Sequence, residues 1–424
     1  MKHKSRFQLR FFKKPMQTLL LPVVLLSTLA SPSQAAWKAH DVSVLFPLPP
    51  ADKIQNMIGP QDSGNGGSLL PREAYDLFPF LVRFVKPDVL YKEQLKVVAL
   101  RLDPCFQEGK FTPQTHPEKC RKQVRIVWQP VLPAAMVSTT LDTGLHTFHE
   151  FDDTSWAALI HDWKELTKLI DAGPIDGPLD IHPGLKKVGY DSAEWSAFKD
   201  TVLRHCGRAN LVRIAGMMLN GPLMWVFRTF DLKLETQANG SLGFTVSELE
   251  IPRLAGRTPP VAQAFVMDME SLAQLEEFQA RVAPAPQDDR DWVSFIADSL
   301  GFKVDRQQDL ARPARLEDDL KNLAGRALLF ENPKLNNPGT LDCVSCHAAQ
   351  TTRLWTEKNA PLLGFNWDWQ NLFKTTRYES SRNLTNLSVN PLQTNRLRAF
   401  GYFEDEPQIS QRVINETAEV LDTL

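Results

Sequence analysis

The sequence predicts a multidomain chain whose two parts belong to different fold classes. The first part, residues 36–305, combines strand-like runs at 95–102 (LKVVALRL) and 124–131 (VRIVWQPV) with a helical repeat over 153–170. That mixture is typical of an α+β domain. In the second part, residues 306–424, apolar side chains recur at helical spacing, which predicts an all-α domain.

The boundary between the two parts is predicted from composition. A stretch rich in proline and charge covers residues 282–291, and a second polar stretch covers 305–315. Both compositions are typical of linkers, so we place the boundary near residue 305. A short helix is predicted between them, at 292–302. Further elements expected in the first part are an amphipathic helix at 192–205 and strands at 211–218, 225–232 and 243–252.

The N-terminus predicts export. A basic segment without acidic residues precedes an apolar run at 18–30, which is too short for a stable membrane span. Small residues at Ser33 and Ala35 suit signal peptidase, so residues 1–35 are predicted to be a signal peptide. The alternative is a hydrophobic helix that is retained as an anchor. Nothing later in the chain is apolar enough to predict a transmembrane span in the mature protein, which we expect in the periplasm or otherwise outside the cytoplasm.

Charge limits the classes of partner. Removal of the six basic residues in the signal segment would change the net charge from −2 to about −8. Such a balance argues against nucleic acid or an anionic membrane as the main partner.

The cysteines divide into two groups. Cys105 and Cys120 flank a loop between two predicted strands, and we expect a disulfide that joins the ends of this hairpin, in keeping with an exported protein. Two unpaired thiols are the alternative. Cys206 has no evident partner and is expected to be a buried thiol.

Residues 343–347 read Cys-Val-Ser-Cys-His, the most informative motif in the chain. In Cys-x-x-Cys-His motifs the two thiols add to the vinyl groups of haem, and the adjacent imidazole binds the iron. We therefore predict one covalently attached haem c, held by Cys343, Cys346 and His347. A redox-active dithiol, half of a zinc site and a structural disulfide are the alternatives.

Other candidate sites are weaker. His146 and His149, followed by Glu150, could lie on one face of a helix, with His161 or His182 as a third metal ligand. We expect these to be ordinary surface or core histidines rather than metal ligands. No catalytic residue is assigned. Several methionines of the first part are expected to fill gaps in its core, as methionine often does. They are Met217, Met218, Met224, Met267 and Met269.

Residues 316–424 resemble the cytochrome c family in the order of their parts. A helix with a small residue and an aromatic (Gly325 and Phe330) precedes an Asn/Pro loop, the haem motif and a final helix that is predicted to start at Pro407. The resemblance implies an all-α, cytochrome c-like haem domain in which Cys343 and Cys346 form the thioethers and His347 is the proximal iron ligand.

The sequence departs from that family at the second axial ligand. Members usually place a methionine shortly before a Phe-Gly pair, but Leu397 stands at that point before Phe400 and Gly401, and no Met or His follows His347. The sixth iron position is therefore empty, filled by a weak ligand such as water, or supplied by the first part of the chain. We expect the open or weakly ligated state.

Two classes of function are compatible with one haem. Single-electron transfer to a redox partner protein is the first, and we favour it because one haem cannot store two electrons without a second redox centre or high-valent iron. The second is a peroxidase-like haem enzyme or small-ligand-binding protein with an open sixth position. A module that binds a partner and uses the haem only for docking is a third reading.

Overall fold

The structure is a computed structural model that describes residues 36–78, 81–82, 85–106, 119–141, 143–219, 225–248, 313–337, 341, 343–362, 364–385 and 399–424. Several sequence predictions lie outside these residues: the signal peptide, the helix at 292–302, the boundary near residue 305, Leu397 and the methionines at 224, 267 and 269.

An antiparallel sheet of eight strands dominates the described part of the chain. Its order is β1-β4-β5-β7-β8-β9-β10, and β6 pairs with β5 beside that path. Two further hairpins are formed by β2 with β3 and by β11 with β12. The strand bounds are β1 Ser43–Leu45, β2 Ser63–Gly64, β3 Gly67–Ser68, β4 Leu95–Phe106, β5 Arg121–Leu132, β6 Thr139–Thr140, β7 Gly144–Phe151, β8 Leu211–Leu219, β9 Trp225–Thr236, β10 Leu242–Glu248, β11 Phe400–Phe403 and β12 Glu406–Ile409.

The helices come before, between and after the strands. Their bounds are α1 Ala39–Val42, α2 Arg72–Tyr75, α3 Pro87–Val89, α4 Asp153–Leu169, α5 Pro183–Val188, α6 Ala193–His205, α7 Pro313–Glu331, α8 Cys343–Leu362, α9 Trp369–Leu372 and α10 Gln411–Thr423. The predicted strands at β4, β5, β8, β9 and β10, and the predicted helices at α4 and α6, are confirmed.

Successive side chains of a strand point to opposite faces of a sheet, so the strand registers define two different faces. One row of register partners is mostly apolar and lies on what we call the apolar face: Leu100, Ile126, Thr147, Ile214 and Phe230. The adjacent row lies on the opposite side, which we call the charged face: Arg101, Arg125, Phe148, Arg213 and Asp231.

The apolar face is covered by helices from the same part of the chain. Asp152 caps α4, because its carboxylate accepts a hydrogen bond from the Ser155 amide at 2.7 Å. The ring of Trp163 on α4 lies 5.4 Å from that of Phe198 on α6, and both side chains are buried in one cluster with the apolar row. A Cβ added at Gly216 of β8 would lie 2.3 Å from the ring of Phe78, so this face also packs closely against the segment before α3.

The charged face is covered by the C-terminal end of the chain. The hydroxyls of Ser43 and Thr417 are hydrogen-bonded at 2.7 Å, which attaches α10 beside β1. The side chain of Gln129 on β5 accepts from the Tyr402 amide at 2.7 Å and donates to the Tyr402 carbonyl at 2.9 Å. The Thr140 amide donates to the Glu404 carbonyl at 2.8 Å, so the β11–β12 hairpin is joined to the main sheet.

The prediction of an all-α, cytochrome c-like domain at the C-terminus is wrong. Residues 400–409 form a β-hairpin, and Pro407 lies in β12, so the final helix starts at Gln411 with Ser410 as its cap. The physical reason is that Tyr402 is completely buried against the first part of the chain, where its hydroxyl donates to the Phe46 carbonyl. The hairpin and α10 cover the large sheet instead of closing a separate helical core.

The described residues between Trp37 and Leu424 form one compact unit. Among the residues that the structure describes, none lies in a helix long and apolar enough to cross a bilayer.

Candidate haem-attachment site

The Cys-x-x-Cys-His motif forms the first turns of α8. Positions i, i+3 and i+4 of a helix share one face, so Cys343, Cys346 and His347 lie side by side, and all three are partly exposed. The opposite face carries small, buried side chains: Ser345, Ala349, Thr352 and Thr356. The helix thus presents the motif on one side while the other side is buried.

Polar contacts hold α8 in place against its neighbours. Arg353 donates to the carboxylate of Glu331, the last residue of α7, at 2.8 Å, and both side chains are largely buried. The side-chain oxygen of Gln350 accepts a hydrogen bond from the Gln411 amide at the start of α10. The helix that carries the motif is therefore attached to two other helices.

The imidazole of His347 lies against the charged face of the sheet. Its centroid is 5.0 Å from that of Phe227 on β9, with the rings inclined at 55°. Met217 of β8 is the direct register partner of Phe227, so the two side chains point to the same face. Both are buried in one cluster. This packing orients the imidazole and brings a thioether to the same side of the sheet.

The donor set fits a haem c group. Covalent attachment needs two thiols that reach one porphyrin edge and an imidazole beside them, and the porphyrin itself supplies the four equatorial iron ligands. Cys343, Cys346 and His347 provide these groups from one helix face. Across the described ranges, no three His, Cys, Asp or Glu side chains converge to hold a metal ion directly.

The predicted disulfide is confirmed. Cys105 at the end of β4 is bonded to Cys120 just before β5, so the bridge joins the two ends of the hairpin loop. Cys206 is a buried thiol, as predicted, and burial raises its pKa well above the ordinary value.

The weaker histidine candidates do not come together. His146 and His149 lie in strand β7, where residues three apart point to opposite faces, so the helical arrangement is wrong. His149 is buried, and burial lowers its pKa to about 4. His182 caps α5 through Nδ1, and burial lowers its pKa to about 3. His161 is exposed on α4.

Sequence reasoning missed the charged side chains opposite α10. Arg101 donates to Glu416 and, at 3.0 Å, to Asp103, although all three are largely buried. Arg125, on the neighbouring strand, lies 3.4 Å from Asp103 and within electrostatic range of the Cys346 side chain. The signal in the sequence was an arginine near the centre of each of two apolar strands. A buried arginine needs polar partners, so this pattern indicates that polar side chains pack against the strands.

Comparison with protein-family models, with curated proteins and with solved structures found no match for this chain.

Proposed function

We propose that this protein is an exported c-type cytochrome that carries one haem and transfers single electrons to or from a redox partner protein. The observation that carries the proposal is the arrangement of Cys343, Cys346 and His347 on one accessible face of the first turns of α8. Two thiols and an imidazole at this spacing match the chemistry of thioether formation and iron binding.

The chain's own residues have defined tasks in this proposal. Cys343 and Cys346 would hold the haem covalently, and His347 would bind its iron. Phe227 restricts rotation of the imidazole through ring contact. When bound, the haem supplies an iron that changes between the ferrous and ferric states. An imidazole held by Phe227 would limit the rearrangement of His347 between these states, which would favour electron transfer.

The disulfide supports export. Bridges such as Cys105–Cys120 form and persist in oxidising compartments, which are also where haem is attached to c-type proteins. The predicted signal peptide at residues 1–35 is consistent with a periplasmic location.

Covalent haem is tested by co-expressing the exported protein with haem-maturation factors and staining denaturing gels for haem. The wild-type band should stain, and a variant with both Cys343→Ala and Cys346→Ala should not. Cys206→Ala is the matched control, because it removes a thiol outside the motif and should leave staining unchanged. Haem that remains on the double variant under denaturing conditions would refute the proposal.

The electron-transfer role is tested by potentiometric titration of the haem-loaded protein. A single haem should follow a one-electron Nernst curve, with a tenfold change in oxidation ratio for about every 59 mV. Rapid turnover with peroxide, together with high-spin ferric iron, would instead make the protein a haem enzyme.

The sixth iron ligand is tested by optical and paramagnetic resonance spectra. Met217, beside Phe227, and His146, on the adjacent strand of the same face, are the described candidates. An open or weakly ligated iron predicts the same spectrum for wild type, Met217→Ala and His146→Ala. A low-spin wild-type spectrum that becomes high-spin in one variant would identify that residue as the ligand.

A further inference from the structure

A cavity of about 120 Å³ lies where the disulfide end of β4 meets α10. Arg101, Asp103 and Phe106 line it from β4, Arg125 lines it from β5, and Glu416 lines it from α10. Half of the residues that line it are charged, and the cavity is partly open to solvent, although Arg101, Asp103 and Glu416 are themselves largely buried.

Among the residues that the structure describes, the buried charges beside this cavity do not balance. Three guanidinium groups share two carboxylates: Arg101 pairs with Asp103 and Glu416, Arg412 donates to Glu416 at 2.8 Å, and Arg125 lies 3.4 Å from Asp103 and 3.9 Å from Glu416. These five described side chains together therefore carry one excess positive charge. An unbalanced buried charge is costly unless another group compensates it.

Two of the buried donors also lack acceptors. Within the described part of the chain, neither the Nε of Arg101 nor the Nε of Arg125 has a hydrogen-bond partner. Burial and repulsion by Arg101 lower the pKa of Arg125 to about 10, so Arg125 carries the poorly compensated charge and remains protonated at neutral pH. Buried donors without acceptors are rare in native proteins and call for a specific explanation.

We propose that this cavity binds a small carboxylate, which neutralises the excess charge and accepts hydrogen bonds from the guanidinium groups. The planar fork of an arginine matches the two oxygens of a carboxylate, and the volume suits an anion of a few heavy atoms. The Arg125 guanidinium carbon lies 5.6 Å from the ring centroid of Phe106 and 5.2 Å from that of Phe148. These two rings form an apolar surface beside the charge.

The carboxylate has two possible sources that share this chemistry. One is a free small acid. The other is a propionate of the haem, since Arg125 lies within electrostatic range of Cys346; this source rests on the proposed function. The two sources are distinguished by comparing haem-free with haem-loaded protein.

The test is calorimetric titration of sodium acetate into the full-length protein, both haem-loaded and as the haem-free variant with Cys343→Ala and Cys346→Ala. We expect saturable binding to the haem-free form. Arg125→Gln in that background should weaken binding about tenfold or more, because a charged hydrogen-bonding partner is lost. Arg121→Gln, at a more exposed position of the same strand, should bind as before. Sodium chloride at equal concentration controls for ionic strength.

Each outcome decides the proposal. Binding to the haem-free form alone supports it with a propionate as the natural occupant, and equal binding to both forms supports it with a free acid. Absence of saturable binding to the haem-free form, an equal response to chloride, or unchanged affinity in Arg125→Gln would overturn it. If Arg125→Gln does not fold, Arg125→Lys, which keeps the charge but loses the fork, takes its place. A chain that never acquires haem would refute the proposed function and leave this titration valid.

Discussion

The two faces of the large sheet are built on different principles. The apolar face carries Leu100, Ile126 and Ile214 and is covered by α4 and α6, which follow closely in the chain. The charged face carries Arg101 and Arg125 and is covered by the C-terminal hairpin, α10 and the start of α8. Apolar burial is non-directional, whereas buried charges need oppositely charged or hydrogen-bonding partners at defined positions. Both faces bury an apolar cluster, so the difference between them lies in the buried charges, which occur opposite α10 beside the apolar contacts of the C-terminal hairpin.

The largest effect is expected on the apolar face. Trp163→Ala should lower the free energy of unfolding by about 3–5 kcal/mol, since it leaves a cavity and removes the indole that donates to the Asp41 carbonyl. Denaturant unfolding measures the loss. Leu169→Ala, at an exposed position of the same helix, should change stability by less than about 0.5 kcal/mol. Similar costs for the two variants would contradict the assignment of this face as the main core.

Glu416→Gln tests the charged face. Leaving three guanidinium groups against one carboxylate should cost about 3–4 kcal/mol at neutral pH. Although burial opposes the charge of Glu416, the nearby arginines hold its pKa well below the usual 4.5. Its ionised form therefore stabilises the fold above pH 4.5, and that contribution is lost as the pH falls toward the lower folded-state pKa.

The pH dependence of the free energy of unfolding distinguishes the charge of Glu416 from the packing of its side chain. Unfolding curves from pH 7 down to pH 3 should show a smaller decrease for Glu416→Gln than for wild type. Glu165→Gln, a surface variant on α4, should follow the wild-type curve within about 0.5 kcal/mol. A variant curve parallel to that of the wild type would show that Glu416 is not stabilised in its charged form.

Replacement of both Cys105 and Cys120 by serine should cost about 3 kcal/mol, because the bridge closes a loop with a sequence separation of 15. Since Cys105 also lines the cavity on the charged face, this variant should weaken acetate binding as well. Reducing agent should lower the stability of wild type toward that of the variant and leave the variant unchanged. Insensitivity of the wild type to full reduction would contradict a stabilising bridge.

The smallest effect is expected for His149, a polar residue on the apolar face. Burial lowers the pKa of His149 to about 4, so the neutral form stabilises the fold above the unfolded value of 6.5, and this stability is lost as the pH falls below 6.5. Between pH 7 and pH 5 the loss should be about 2 kcal/mol. His149→Gln should remove this share of the pH dependence and leave the share of the buried His182, whereas His161→Gln on the surface should keep both. Equal slopes for His149→Gln and wild type would rule out His149 as its source.

The sequence predicted the parts whose signal is local. Alternation in 124–131 and helical spacing in 153–170 identified β5 and α4, and the position of Cys105 and Cys120 between two strands identified the disulfide. The C-terminal hairpin was missed because its strands have four residues each and are stabilised by contacts with Gln129 and Thr140, far away in the chain.

The candidate site was predictable only in part. The haem motif is read directly from residues 343–347. Its packing on Phe227 and the buried charges at Arg101 and Arg125 depend on strand register, which a single sequence does not specify.

The attachment of the C-terminal end to β1 has a consequence for the order of biogenesis. The hydroxyl contact between Ser43 and Thr417 spans 374 positions. Strand β1 can therefore contact α10 only after almost the whole chain between them is available. Contacts of such high sequence separation close slowly, after local hairpins and helices have formed. If the protein is exported from its N-terminus, as proposed, Cys343 and Cys346 would be exposed before α10 docks. Under the proposed function, haem attachment would take place in that interval, before α10 docks.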